Sequence, residues 1–389
     1  LTFVGDLFLR ALRMLVIPLI ASSIITGISS IGDTRDLGRL GARTAGYYLF
    51  SSLVAILSGL FWVRVMRPGI VDGAPARDRI GLAADTAEVA AQVGSRDVGD
   101  VVDVFLRMIP ANVLQDAVED QMLGVITFSL LFGFMMTRIS DGPRQVLTDF
   151  WQGVYEVMIR ITDLVLAFAP LGVLALVGKV ALTTGVGALL PLLTFAACVL
   201  IALGCHLLLV LPLVLRVFGR VSPWAFFRVM TPALLMAFST ASSSGTLPLT
   251  LERVQAAGVS RRVSSFTLPL GATVNMDGTA LYECVAAVFI AQAYGVELSV
   301  AQQLLIVTVA LLTSIGVAGI PAASLVAITL ILTAIGLPIE GIGLILAVDR
   351  VLDMCRTAVN VFSDSCAALL VARWEGEKDL LLAEPTASK

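Results

Sequence analysis

Asp349-Arg350-Val351-Leu352-Asp353-Met354-Cys355-Arg356-Thr357-Ala358-Val359-Asn360-Val361-Phe362-Ser363-Asp364 lies inside an apolar run, residues 344–371, that is otherwise long enough to cross a bilayer. Asp349, Asp353, Arg356, Asn360 and Asp364 are spaced 4, 3, 4 and 4 residues apart, so at about 3.6 residues per turn all five share one stripe of a helix. An ionised side chain at the bilayer centre costs on the order of 3 kcal/mol on the mildest scale, and several in one span need a reason. Arg356 presents a planar fork that suits a carboxylate, and Asp353, one turn earlier on the same face, suits an ammonium group. Together they match an amino acid with a second carboxylate. A ring of internal salt bridges without a ligand is the competing reading.

Composition makes lipid the main solvent. Of 389 residues 58% are hydrophobic and 14% charged, against roughly 25% charged in soluble domains, and the mean hydropathy is +0.94. Further apolar stretches cover residues 14–31, 45–63, 122–136, 164–178 and 189–215. Alternating strands of about ten residues are absent, which excludes a β-barrel. A net charge of −3 with scattered arginines leaves no footprint for nucleic acid. Five cysteines at unrelated spacings and a lone histidine, His206, argue against a zinc site or a disulfide framework, and His206 reads as a packed core residue. The chain opens at Leu1 without a signal peptide and reads as lacking an N-terminal helix.

Loop charge sets the topology, because Lys and Arg collect in short cytoplasmic loops. Residues 230–251 have basic clusters on both sides, and residues 303–335 have uncharged loops on both sides. Each must return to the face it came from, with a tip of small residues: Ser242-Ser243-Ser244-Gly245 in one, Gly316-Val317-Ala318-Gly319-Ile320-Pro321 in the other. These read as re-entrant helical hairpins, about 225–257 and 300–335. Non-helical backbone at membrane depth persists only where protein buries it or it lines a cavity, so the two tips are expected around one site. Between them Asn275-Met276-Asp277-Gly278-Thr279 interrupts an apolar span, and a broken helix is expected. Hairpin plus interrupted span occurs twice with opposite orientation, the inverted-repeat plan of secondary transporters. The fold class is therefore an all-α, multispan integral membrane protein of the inner or plasma membrane.

Asp277 and Asp364, with Asn275, Asn360 and carbonyls freed by the breaks, offer hard oxygen ligands suited to sodium; a helix cap is the alternative for Asp277. The N–H groups at Ser242, Ser243 and Ser244 suit a substrate carboxylate, or the serines only satisfy a buried turn. Glu283, one turn past the break, is a candidate proton carrier or a structural partner.

At four motifs the sequence resembles the glutamate transporter, or sodium:dicarboxylate symporter, family. They are Ser242-Ser243-Ser244-Gly245-Thr246-Leu247-Pro248, Asn275-Met276-Asp277-Gly278-Thr279-Ala280-Leu281-Tyr282-Glu283, Ser314-Ile315-Gly316-Val317-Ala318-Gly319-Ile320-Pro321 and Asp353-Met354-Cys355-Arg356-Thr357-Ala358-Val359-Asn360. The resemblance implies a homotrimer. Its scaffold would comprise 1–32 and 101–182, its elevator-type transport domain 41–66 and 187–375, with an extracellular loop at 67–100 and a cytoplasmic tail at 376–389. It implies sodium-coupled symport of L-aspartate or L-glutamate rather than an enzyme. Arg356 would take the side-chain carboxylate and Asp353 the amino group, with Asn360, Thr279, Thr357 and the serine run binding the rest. Sodium would sit with Asp364 and the carbonyls of Gly271, Asn275 and Asn360; with the carbonyls of Thr273, Ser314, Ile315 and Val317; and with Asp277, Tyr48, Ser51, Ser52 and Asn275. Glu283 implies H+ as a further coupling ion. Relatives often carry a second arginine where this chain has Ala241 or Met354, and the departure argues against K+ counter-transport. A C4-dicarboxylate carrier is the nearest rival, which a carboxylate at Asp353 disfavours. An intramembrane aspartyl protease is the rival of another class, and no GxGD motif supports it.

Overall fold

The structure, a computed structural model, describes residues 2–29, 37–76, 109–118, 122–168, 171, 174, 189–316, 323–378 and 380–381. The helices are α1 (Thr2–Ser29), α2 (Leu37–Met66), α3 (Val113–Val118), α4 (Met122–Met136), α5 (Asp141–Ala167), α6 (Leu189–Cys205), α7 (Pro223–Thr240), α8 (Ser243–Ala256), α9 (Arg261–Val274), α10 (Asp277–Ala293), α11 (Val300–Gly316), α12 (Ala323–Ile335) and α13 (Ile342–Trp374). A π turn (His206–Val210), an α turn (Leu211–Val214) and a second π turn (Leu215–Gly219) carry α6 onward. Among the described residues, three stretches are long and apolar enough to cross a membrane, Arg39–Met66, Leu190–Gly219 and Arg261–Ala293, as a multi-pass membrane protein requires.

Two packing groups emerge. Helices α4 and α5 lie against α1, with α3 on α4. The others gather around α10 and α13. Every residue of α10 except Gln292 is buried, and its alanine-rich surface admits close neighbours. Along α2, Gly59 shows how close: a Cβ there would lie 2.9 Å from the Leu281 carbonyl oxygen.

The interrupted span breaks where the polar run predicts. Helix α9 stops at Val274, Asn275 is extended, and α10 restarts at Asp277. Met276 holds the cap position, so the carboxylate of Asp277 is not spent on capping. Both hairpin segments are pairs of helices. In the first, Ala241 turns the chain in the left-handed region (φ 50°), and the Ser242 hydroxyl accepts from the Gly245 N–H at 3.0 Å to start α8. This pair packs on α13. The second pair, α11 and α12, packs on α10, and its tip, with Val317, lies outside the described residues.

Candidate functional site

Helix α13 delivers its charged stripe to the break between α9 and α10. Arg356 is 0% exposed. Its Nη2 donates to Asp349 Oδ1 at 3.1 Å and to Asp353 Oδ1 at 3.0 Å. The guanidinium carbon sits 3.9 Å from the centre of the Tyr282 ring, and the Tyr282 hydroxyl donates to the same Asp349 oxygen at 2.9 Å. Nε and Nη1 of Arg356 have no hydrogen-bond partner among the described residues. A buried donor left unmatched costs roughly 1–3 kcal/mol, more for a charged group, so these N–H groups are ready for an incoming carboxylate. Asp353 keeps one side open, with Arg350 3.9 Å from its Oδ2 and largely exposed. The Thr357 hydroxyl donates back to the Asp353 carbonyl at 2.8 Å.

One turn further along, the Asn360 amide knits α13 to α10. Its Oδ1 accepts from the Gly278 N–H at 2.8 Å and its Nδ2 donates to the Thr279 hydroxyl at 3.1 Å. Asp364 accepts from Asn275 Nδ2 at 2.9 Å. Gly271 lines this contact: a Cβ there would meet Asp364 Oδ1 at 2.5 Å and the Tyr48 hydroxyl at 2.6 Å.

Asp277 is buried and surrounded by donors. Its Oδ2 accepts from Ser51 and Ser363, each at 2.6 Å, and its Oδ1 accepts from Ser52 at 2.8 Å. The Ser52 hydroxyl also lies 3.3 Å from Asn275 Oδ1. The Tyr48 hydroxyl goes elsewhere, donating to the Thr267 carbonyl at 2.7 Å. Hydroxyl, amide and carboxylate oxygens, with no thiolate, suit a hard cation such as sodium. Glu283 is buried nearly two turns into α10; Thr313 of α11 donates to its Oε2 at 2.9 Å, and Oε1 has no partner among the described residues.

Ser51, Ser52, Asn275 and Asp277 thus meet at one place, and Arg356, Asp353, Thr279, Thr357 and Asn360 line another beside it. Ser243 is buried at the start of α8 and Ser314 near the end of α11. Thr273 and Ile315 lie on α9 and α11, while their side chains, that of Ser244, and all of Val317 are outside the described residues. Sequence reasoning missed Ser363, Tyr282 and the role of Asp349. The stripe spacing already carried Asp349 to the Arg356 face, but nothing in the order of residues placed Tyr282 under the guanidinium.

His206 is the packed core residue that its apolar span suggests, and it also reaches the site. It is fully buried, yet its Nε2 lies 3.2 Å from Asp277 Oδ2, because the span after α6 runs beside the break.

The profile of the sodium:dicarboxylate symporter family matches residues 1–374. The chain is 35% identical over 374 residues to a proton/sodium-glutamate symport protein of Geobacillus stearothermophilus, covering 96% of this chain and 87% of that protein. It is 36% identical to a proton/glutamate-aspartate symporter of Escherichia coli, covering 96% and 85%, and 34% identical to an excitatory amino acid transporter of Caenorhabditis elegans, covering 95% and 80%. Matched over almost its whole length, the chain belongs to the sodium:dicarboxylate symporter family.

Proposed function

We propose that this protein is a secondary active transporter that couples entry of sodium, and of protons, to symport of L-aspartate or L-glutamate. The observation that carries the reading is the wholly buried Arg356, held on Nη2 by Asp349 and Asp353 while Nε and Nη1 remain unmatched among the described residues. A substrate carboxylate satisfies the guanidinium, and its ammonium group meets Asp353. A dicarboxylate without an amine would bring a second carboxylate toward Asp353 with no ammonium group to meet it, which weighs against a C4-dicarboxylate carrier. The names of the relatives agree with acidic amino acids as cargo and with sodium and protons as drivers.

Sodium is co-transported cargo in this reading. Asp277 with Ser51, Ser52 and Asn275 offers one place for it, and Asp364 with carbonyls near the break offers another. A third would use the backbone of Thr273, Ser314, Ile315 and Val317. Glu283 is the proton carrier of the proposal. The packing of α1, α3, α4 and α5 as one group and of the remaining helices as another supports a scaffold and an elevator-type transport domain, the latter with two re-entrant hairpins. Exposed Phe150, Val157 and Leu164, seven residues apart on α5, form an apolar stripe suited to contact between three copies.

The test is uptake of labelled L-aspartate and L-glutamate into proteoliposomes under an imposed sodium gradient. Wild type accumulates both against the gradient, and Arg356→Ala abolishes uptake. Equal inhibition by succinate and aspartate would overturn the choice of substrate. Glu283→Gln is expected to keep sodium-driven uptake while losing its response to an imposed pH gradient; an unchanged response removes Glu283 as the proton carrier.

A further inference from the structure

Asp277 Oδ2 receives three donors of two kinds. The hydroxyls of Ser51 and Ser363 can rotate, so either can turn a lone pair toward a cation and still remain in place. The imidazole of His206 has no such freedom: facing a carboxylate at 3.2 Å, Nε2 can only donate. Its other nitrogen, Nδ1, is buried without a partner among the described residues, so the contact to Asp277 is the one hydrogen bond the ring makes there. The backbone also marks this residue. His206 is the first residue of the π turn His206–Val210, a widened turn of a kind frequent at functional sites, and Leu211 N–H closes it on the His206 carbonyl. Both side chains are 0% exposed, so water does not compete for the contact.

We propose that His206 is a positioning residue of the Asp277 cation site, its Nε2–H fixing one carboxylate oxygen so that the group meets sodium already oriented. This rests on the reading of Asp277 as a sodium ligand. The hydrogen bond persists with or without the ion, whereas the serine hydroxyls exchange between carboxylate and cation. Outer hydrogen-bond partners of this kind typically contribute 10–100-fold in metal affinity.

The experiment titrates sodium against the thermal midpoint of the purified full-length chain, for wild type, His206→Gln and His206→Phe, with the Kd for L-aspartate measured at low and at saturating sodium. Gln can still present an N–H toward Asp277, and Phe cannot. The expected result is a sodium midpoint raised about 10–100-fold in His206→Phe, largely rescued in His206→Gln, with the aspartate Kd close to wild type once sodium saturates. A fall in sodium-free stability with an unchanged sodium midpoint would assign His206 to packing alone and overturn the proposal. So would a Gln variant no better than Phe. If wild type itself shows no sodium-dependent stabilisation, the reading of Asp277 as a sodium ligand fails first, and this inference with it.

Discussion

Arg356 heads the fully buried side chains by size among the described residues, and its burial is tolerable only because charge surrounds it. Removing one member of a buried ion pair costs about 3–5 kcal/mol through the charge left behind, so Arg356→Ala tests stability as well as binding. Arg356→Lys separates the two. The ammonium keeps the charge beside Asp349 and Asp353 but loses the planar fork and its stacking on Tyr282. A chain that stays folded, with acidic amino acid binding weakened roughly 100-fold, is expected by calorimetry with circular dichroism as the control. Wild-type affinity in the Lys variant would mean that the fork does not bind the substrate.

Helix contacts at the site depend on missing side chains. Gly278 sits against the backbone of α13, where a Cβ would fall 2.7 Å from the Arg356 carbonyl oxygen and 3.1 Å from its Cα. Backbone cannot move aside as a flexible side chain does. Gly278→Ala is therefore expected to force α10 and α13 apart, costing about 1–3 kcal/mol in unfolding experiments and weakening aspartate binding through the Asn360 bond. The far end of α13 is fastened differently. Glu375, whose side chain is 6% exposed, bridges Arg39 at 3.0 Å and Arg43 at 2.6 Å, with Arg262 at 4.0 Å, and Arg43 also reaches the Trp374 carbonyl. The hydrogen bond from Arg39, then the charges of Arg39, Arg43 and Arg262, hold its carboxyl below the ordinary glutamate value. A lowered folded value means that the contribution is complete above the unfolded value of about 4.3 and is lost as pH falls through the folded one. Hydrogen exchange at the end of α13 is expected to rise in that acid range, and Glu375→Gln to remove the pH step. A step that survives in Glu375→Gln would have to come from another group.

At the scale of the whole molecule, a chain of 41.0 kDa presents α5 with Phe150, Val157 and Leu164 facing outward. If that stripe joins three copies, a charge in its middle should break the assembly, because desolvating an unpaired guanidinium at an interface is unfavourable. By native mass measurement in detergent, wild type is expected to run as the proposed trimer and Val157→Arg as monomers. Trimers of undiminished abundance would move the interface elsewhere.

The sequence by itself determined that this is a membrane protein, where its helix breaks, which residues of α13 share a face, and which four motifs it carries. These properties follow from local order: hydropathy over about twenty residues, helical spacing, and the helix-weakening effect of Asn275, Asp277 and Gly278. The family resemblance already grouped Ser51, Ser52 and Asn275 with Asp277; tertiary structure decided which oxygen meets which donor and added Ser363 and His206. Ser51 and Ser52 lie 226 and 225 residues from Asp277, and His206 lies 71 away, so no spacing rule joins them. It likewise set Tyr282 beneath Arg356 and turned the Tyr48 hydroxyl to Thr267. Contacts of this kind depend on how α2, the span after α6 and α13 converge on one break, and convergence between distant segments is fixed by packing rather than by the order of residues along any one of them.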